Sequence, residues 1–142
     1  LKSFPLIDTS NGTTFSQTWY NCSPLTSVAA GQTFGGAGNT APTFTQTWYN
    51  CAALSSFPTG VFNACTGSTN YTSAWTGCGL TTGAIQNILT SIVSSGATKN
   101  VPFKGNIGLN SGTNAAKSTW TASANTAFNT IVGAGWTIAY NP

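Results

Sequence analysis

The stretch Thr43–Phe57, TFTQTWYNCAALSSF, is a near copy of Thr14–Val28, TFSQTWYNCSPLTSV, which lies 29 residues earlier. A weaker third copy starts at Asn70 and reads NYTSAWTGCGL. There Tyr71, Trp75 and Cys78 keep the spacing of Phe15, Trp19 and Cys22, and of Phe44, Trp48 and Cys51. A period of this length is the signature of stacked repeats, and it outranks a reading made element by element. Each unit is too short to bury its own apolar face, whereas stacked units share one continuous core.

Within a copy the aromatic residue, the Trp and the Cys are four and then three residues apart. That spacing predicts one side of a helical or near-helical turn. The six residues Trp19, Trp48, Trp75, Cys22, Cys51 and Cys78 are therefore expected to form internal ladders, each packed on its equivalent in the next copy. The pairs Leu25/Val28 and Leu54/Phe57 lead out of each turn into short extended segments. The third copy departs from the pattern, because Leu80 follows Cys78 one residue early.

The pattern W-x-x-C-x-x-L-x-x-[VF], present as Trp19, Cys22, Leu25 and Val28 and again as Trp48, Cys51, Leu54 and Phe57, resembles the BspA-like leucine-rich repeats of bacterial surface proteins. The resemblance covers about the first 80 residues. It implies an α/β leucine-rich-repeat-like solenoid with a parallel sheet, carrying short turns in its first half. The closing segment, with Trp136-Thr-Ile138-Ala-Tyr140, is similar to the ends of repeat-bearing proteins from phage tails and bacterial surfaces. That likeness implies an extracellular, virion or bacterial cell-surface setting.

The second half changes character. Ile85, Ile88, Leu89, Ile92 and Val93 recur at helical spacing and predict an amphipathic helix over Ile85–Val93. Trp120, Ala124, Ala127, Phe128, Ile131 and Val132 predict a second over Ala122–Val132, ended near Gly133 and Gly135. Val101–Asn106 and Trp136–Asn141 fit the core pattern L-x-L-x-x-N. Residues 1–142 thus read as a single domain, with short repeats over 1–80 and longer strand–helix units plus a cap over 81–142. Leu1–Leu6, Leu25–Ala30, Leu54–Thr59, Val101–Lys104 and Trp136–Ile138 are expected to pair in chain order as one parallel sheet. Leu1-Lys2-Ser3-Phe4-Pro5 matches Leu54-Ser55-Ser56-Phe57-Pro58, so the chain is expected to begin inside a repeat, either as the C-terminal part of a longer protein or with another chain covering the first coil.

Charge is nearly absent: Lys2, Lys99, Lys104, Lys117 and Asp8 are the whole set. With five Trp and eight Phe, low charge here does not mean disorder. Four scattered lysines make no basic stripe, which argues against nucleic acid as a partner. No run approaches the length of a membrane span. Of the four cysteines, Cys65 stands outside the ladder, and its pairing is open at this point. Without His or a C-x-x-C pair, a zinc site is not expected. Gly35-Gly36-Ala37-Gly38 lacks the Lys of a phosphate-binding loop.

The same inventory argues against catalysis and against any cofactor. General acid–base chemistry needs a His or a tuned carboxylate, and the one acid is Asp8. A Ser-His-Asp site and a carboxylate pair are both beyond this chain's residues. Lys99, Lys104 and Lys117 read as solubilising charges. The expectation is a non-catalytic structural or assembly component that associates with copies of itself or with other structural proteins. The alternative is an adhesin or receptor-binding module that recognises glycans or a host surface protein. Tyr20, Tyr49 and Tyr140 are the candidate contact surface for that alternative.

Overall fold

The computed structural model describes residues 1–99 and 104–142. The chain is a small α/β domain with a three-stranded parallel sheet and two helices. The strands are β1 (Asn70–Tyr71), β2 (Asn106–Leu109) and β3 (Thr137–Tyr140). The order is β1-β2-β3, with Asn70 opposite Asn106 and Asn106 opposite Thr137. Helix α1 spans Thr82–Ser94 and α2 spans Ala122–Gly133. Both predicted helices are present, α1 longer by three residues at its start and one at its end, and α2 by one at its end.

Their starts follow from local chemistry. Thr81 and Thr121 accept the N–H of Ala84 and Ala124 with their side chains, so each helix has a threonine N-cap. α1 turns Ile85, Ile88, Leu89 and Ile92 into the core. α2 turns Ala124, Ala127 and Ile131 inward and packs on α1, where the Thr121 hydroxyl donates to Gln86 Oε1 at 2.6 Å.

The predicted sheet needs correction. Leu1–Leu6, Leu25–Ala30 and Leu54–Thr59 are not strands, and only Ser27 and Ser56 form an isolated parallel bridge there. Of the strand expected over Val101–Lys104, Val101–Phe103 lie outside the described residues, and the strand found next to it is β2, from Asn106. The last strand is Thr137–Tyr140, with Trp136 buried ahead of it. The cause is the position of the closest backbone pairing. It runs through Thr14 and Thr43, a parallel bridge, and on to Asn70, where Phe44 N–H bonds Asn70 O at 2.8 Å. Thr14, Thr43 and Asn70 of this row head the three aromatic motifs, and Asn106 and Thr137 continue it into β2 and β3. The Leu25/Leu54 row behind the motif pairs more sparsely.

The Phe15–Cys22 segment is also not a helical turn. Its alternate N–H groups do two jobs. Phe15, Gln17, Trp19 and Asn21 donate to Thr43, Thr45, Thr47 and Tyr49 of the next copy at 2.8–3.0 Å. Thr18, Tyr20 and Cys22 donate back to Phe15, Gln17 and Trp19 at 3.1–3.3 Å. The second copy repeats the pattern toward Asn70, Thr72, Ala74 and Thr76. This alternation requires left-handed backbone at Gln17 and Asn21, and at Gln46 and Asn50. Asn tolerates that region better than most residues. In the third copy the place of Asn50 is taken by Gly77, with φ +79°, and a Cβ there would lie 2.2 Å from Asn50 Oδ1.

Side chains follow the backbone register. Trp19 stacks on Trp48 with centroids 5.6 Å apart, and Trp48 on Trp75 at 5.5 Å, all within 8° of parallel. Phe15, Phe44 and Tyr71 make a second column at 5.5 and 5.0 Å. Phe34 and Phe62 run beside them at 5.9 Å. The indole N–H groups of Trp48 and Trp75 have no hydrogen-bond acceptor among the described residues. Stacking and burial therefore hold this column, and Phe57 meets Trp48 edge-on at 5.0 Å. Leu80 reaches the place of Leu54 despite its early position, because Gly79 shortens the path and Thr81 N–H still bonds Ser55 O at 3.2 Å.

Two substitutions check the column. Trp48→Ala removes the central ring and should cost about 3–5 kcal/mol in urea unfolding. Trp48→Phe, which loses no hydrogen bond, should cost about 1–2 kcal/mol. Equal losses from the two would mean that the indole N–H is bonded after all.

Candidate functional site

The thiols come first, as the most reactive groups in the chain. All four cysteines are free, including Cys65. Cys51 Sγ–H donates to Trp19 O and Cys78 Sγ–H to Trp48 O, both at 3.0 Å. Cys65 repeats the device on the neighbouring column, donating to Phe34 O at 3.1 Å. The third ladder carbonyl, Trp75 O, is met by Asn114 Nδ2 at 2.8 Å. Asn114 also bonds Leu109 O and accepts from Leu80 N–H, so an amide replaces the thiol where the strand–helix units begin. Burial pushes the Cys51 thiol from its usual 9.0 up to about 11 and Cys65 up to about 12, and raises Cys78 as well. These groups stay protonated at neutral pH and are poor nucleophiles. Cys22 alone is partly exposed.

The other titratable groups are dispersed. Asp8 is exposed, and bonds from Ser10 hold its carboxylate below the usual range. Among the described residues no group of three His, Cys, Asp or Glu side chains is placed to hold a metal ion. Lys117 is not simply a solubilising charge. Its Nζ donates to Asn125 Oδ1 at 3.1 Å and lies 4.5 Å from the Phe128 ring centroid.

The candidate contact tyrosines separate. Tyr20 and Tyr49 stack on each other at 5.1 Å and 6°, on the exposed side of the motif. Tyr140 lies elsewhere, edge-on to Phe128 at 5.4 Å and near Trp120 at 5.9 Å. The register explains the split. Tyr140 is opposite Leu109, which points into the core. Tyr20 and Tyr49 share their row with Thr76, whose hydroxyl donates to Asn110 Oδ1 at 3.0 Å. Beside this row Gln17 Nε2 donates to Gln46 Oε1 at 2.9 Å, and Thr14, Ser16 and Thr43 link hydroxyls.

Depressions among the described residues include one on the helices and one on the sheet. One, of about 380 Å³, sits between α1 and α2 and is lined by Thr90, Val93, Ser94, Ala122, Ser123, Thr126, Ala127 and Thr130. The other, of about 480 Å³, lies on the sheet and is lined by Thr72, Ser73, Asn106, Ile107, Gly108, Asn110, Thr137, Ile138 and Ala139. Sequence reasoning missed this second groove. Its one legible trace is the alternation Asn106, Gly108, Asn110 around buried Ile107 and Leu109, which puts the asparagines on one face.

Comparison with protein-family models, with curated proteins and with solved structures finds no match for this chain. No helix among the described residues is long and apolar enough to cross a membrane.

Thiol reactivity provides two checks. Under native conditions a thiol reagent should modify Cys22 alone, and the other three should react only on unfolding; fast native labelling of Cys51 or Cys78 would contradict their burial. The raised thiols also set a sign for alkaline stability. Below 9.0 both folded and unfolded forms keep the proton, and the native preference is fully present. Between 9.0 and about 11 to 12 the unfolded chain loses protons that the native chain retains, so stability falls as pH rises. The melting temperature should hold level to pH ~8 and then decline. Replacing Cys51, Cys65 and Cys78 with Ala should reduce that decline.

Proposed function

We propose that this chain is a leucine-rich-repeat-like solenoid that works by contact, as a non-catalytic structural or assembly component of an extracellular surface or virion appendage. The observation that carries the architectural part is the register Thr14–Thr43–Asn70–Asn106–Thr137. It is one backbone row linked by parallel pairs or hydrogen bonds from each repeat to the next. The stacked columns beside it support the same reading, since stacked repeats place like residues on like.

The functional part rests on the surface. Its polarity comes from Thr, Ser, Asn and Gln, which link to each other across copies, as Gln17 does to Gln46. With four lysines and one acid in the whole chain, the surface offers little charge repulsion to self-association. The buried thiols of Cys51, Cys65 and Cys78 are protonated, and Asp8 is the one acid of the chain. These features support contact rather than turnover.

The check is sedimentation of the purified chain over a wide concentration range, beside screens for hydrolase and transferase activity. Reversible or stable oligomers without turnover are expected. A monomer at every concentration would remove the assembly reading, and saturable turnover of any substrate would remove the non-catalytic one.

A further inference from the structure

The groove on the sheet has a chemistry that selects among ligands. We infer that it binds a neutral carbohydrate. Among the described residues no charged side chain lines it, which disfavours phosphate, sulfate or acidic peptide. Its walls are two asparagines on the same face of one segment, Asn106 and Asn110. β geometry separates residues four apart by roughly 13 Å, a span suited to a short saccharide laid along the strand.

Both amides are oriented by the fold. Asn106 Oδ1 accepts from the Thr137 hydroxyl, and Asn110 Oδ1 accepts from the Thr76 hydroxyl at 3.0 Å. With the carbonyl ends engaged, each amide turns its NH₂ end outward as a donor. Asn106 Nδ2 has no partner among the described residues, and Asn110 Nδ2 meets only Ser111 Oγ at the long distance of 3.4 Å. Thr72, Ser73 and Thr137 add hydroxyls that both donate and accept. Sugar hydroxyls do the same, so the two sets are complementary.

The floor is bare. Gly108 packs so closely on the third copy that a Cβ would lie 2.4 Å from Ser73 Cα. Ala139 is the neighbouring small residue. The apolar surface left open in the groove is the exposed Ala139 methyl beside half-buried Ile138, against which the C–H face of a sugar ring can lie. An extended peptide fits less well. It docks by pairing its backbone with a free sheet edge, whereas this groove lies over β2, whose backbone is taken by β1, Trp75 and Gly77 on one side and by β3 on the other.

The site does not depend on the assembly reading, since a chain that never self-associates would keep the same groove. The test uses the full chain and saturation-transfer NMR with neutral di- to hexasaccharides, a sulfated polysaccharide and extended neutral peptides. Three variants accompany it. Ala139→Trp fills the floor. Asn106→Asp and Asn110→Asp keep the acceptor that Thr137 and Thr76 need and remove the outward donor. Near-ultraviolet circular dichroism of the Trp column confirms that each variant is folded. The expected result is millimolar or tighter binding of at least one neutral oligosaccharide, abolished by Ala139→Trp and weakened about tenfold by each Asp variant. Absence of binding to any neutral saccharide would overturn the inference. So would preference for the sulfated polymer or a peptide, or saccharide binding that the three folded variants leave unchanged.

Discussion

Parallel backbone pairing between successive copies is the constraint on which the rest depends. It holds equivalent residues about 4.8 Å apart. Each side chain must therefore have its own kind as a neighbour. Flat aromatic rings meet that demand by stacking, and the centroid spacings of 5.0 to 5.6 Å in the Trp and Phe/Tyr columns reflect the backbone spacing directly. A thiol meets it by donating to the carbonyl of the copy before, and an amide by bonding the next amide. A charge cannot meet it. Two like charges at about 4 Å repel by ~1 kcal/mol in water and several-fold more at a protein surface. The scarcity of Asp, Glu, Arg and Lys is what such a register predicts, and the charges present stand outside the columns.

The stack changes character where the ladder residues change. At Gly77 and Gly79 the third copy loses the Asn and the two-residue connection used by the others. Thr81, one residue after Leu80, then accepts the Ala84 N–H and starts a helix where the second copy continues through Ser56 and Phe57. Asn114 assumes the thiol's bond to the Trp carbonyl, and Asn141 bonds Asn114 O and Ser111 in turn. A small thiol suits tight turns between aromatic columns. A longer amide spans the wider units that carry helices.

The surface that results is neutral and rich in fixed amides and hydroxyls. Its polar groups are held by bonds within the row, as at Thr76–Asn110 and Thr137–Asn106. Orienting them beforehand lowers the entropy lost on binding. That feature serves a scaffold and a recognition surface alike, and the groove beside β2 is where the orientation is most directional.

Much of this was legible in the residues. The repeat placed Trp19, Trp48 and Trp75 in one column, because identical residues at a fixed period must meet identical surroundings. Helical periodicity located both helices, because burial of one face shows in the spacing of Ile and Leu. The backbone path was not legible. Gln17 and Asn21 read as ordinary polar positions, yet their left-handed φ turns an apparent helical spacing into alternating forward and backward bonds. Nor was the separation of Tyr140 from Tyr20 and Tyr49, since a tyrosine in a short pattern carries no mark of the face it occupies. The pairing register decides that face, together with Asn114's place in the ladder and the groove between Asn106 and Asn110. Sequence alone determined which residues repeat and must pack on one another. Only the tertiary structure decided which face each row presents, because that choice is made by hydrogen bonds between residues about 30 positions apart.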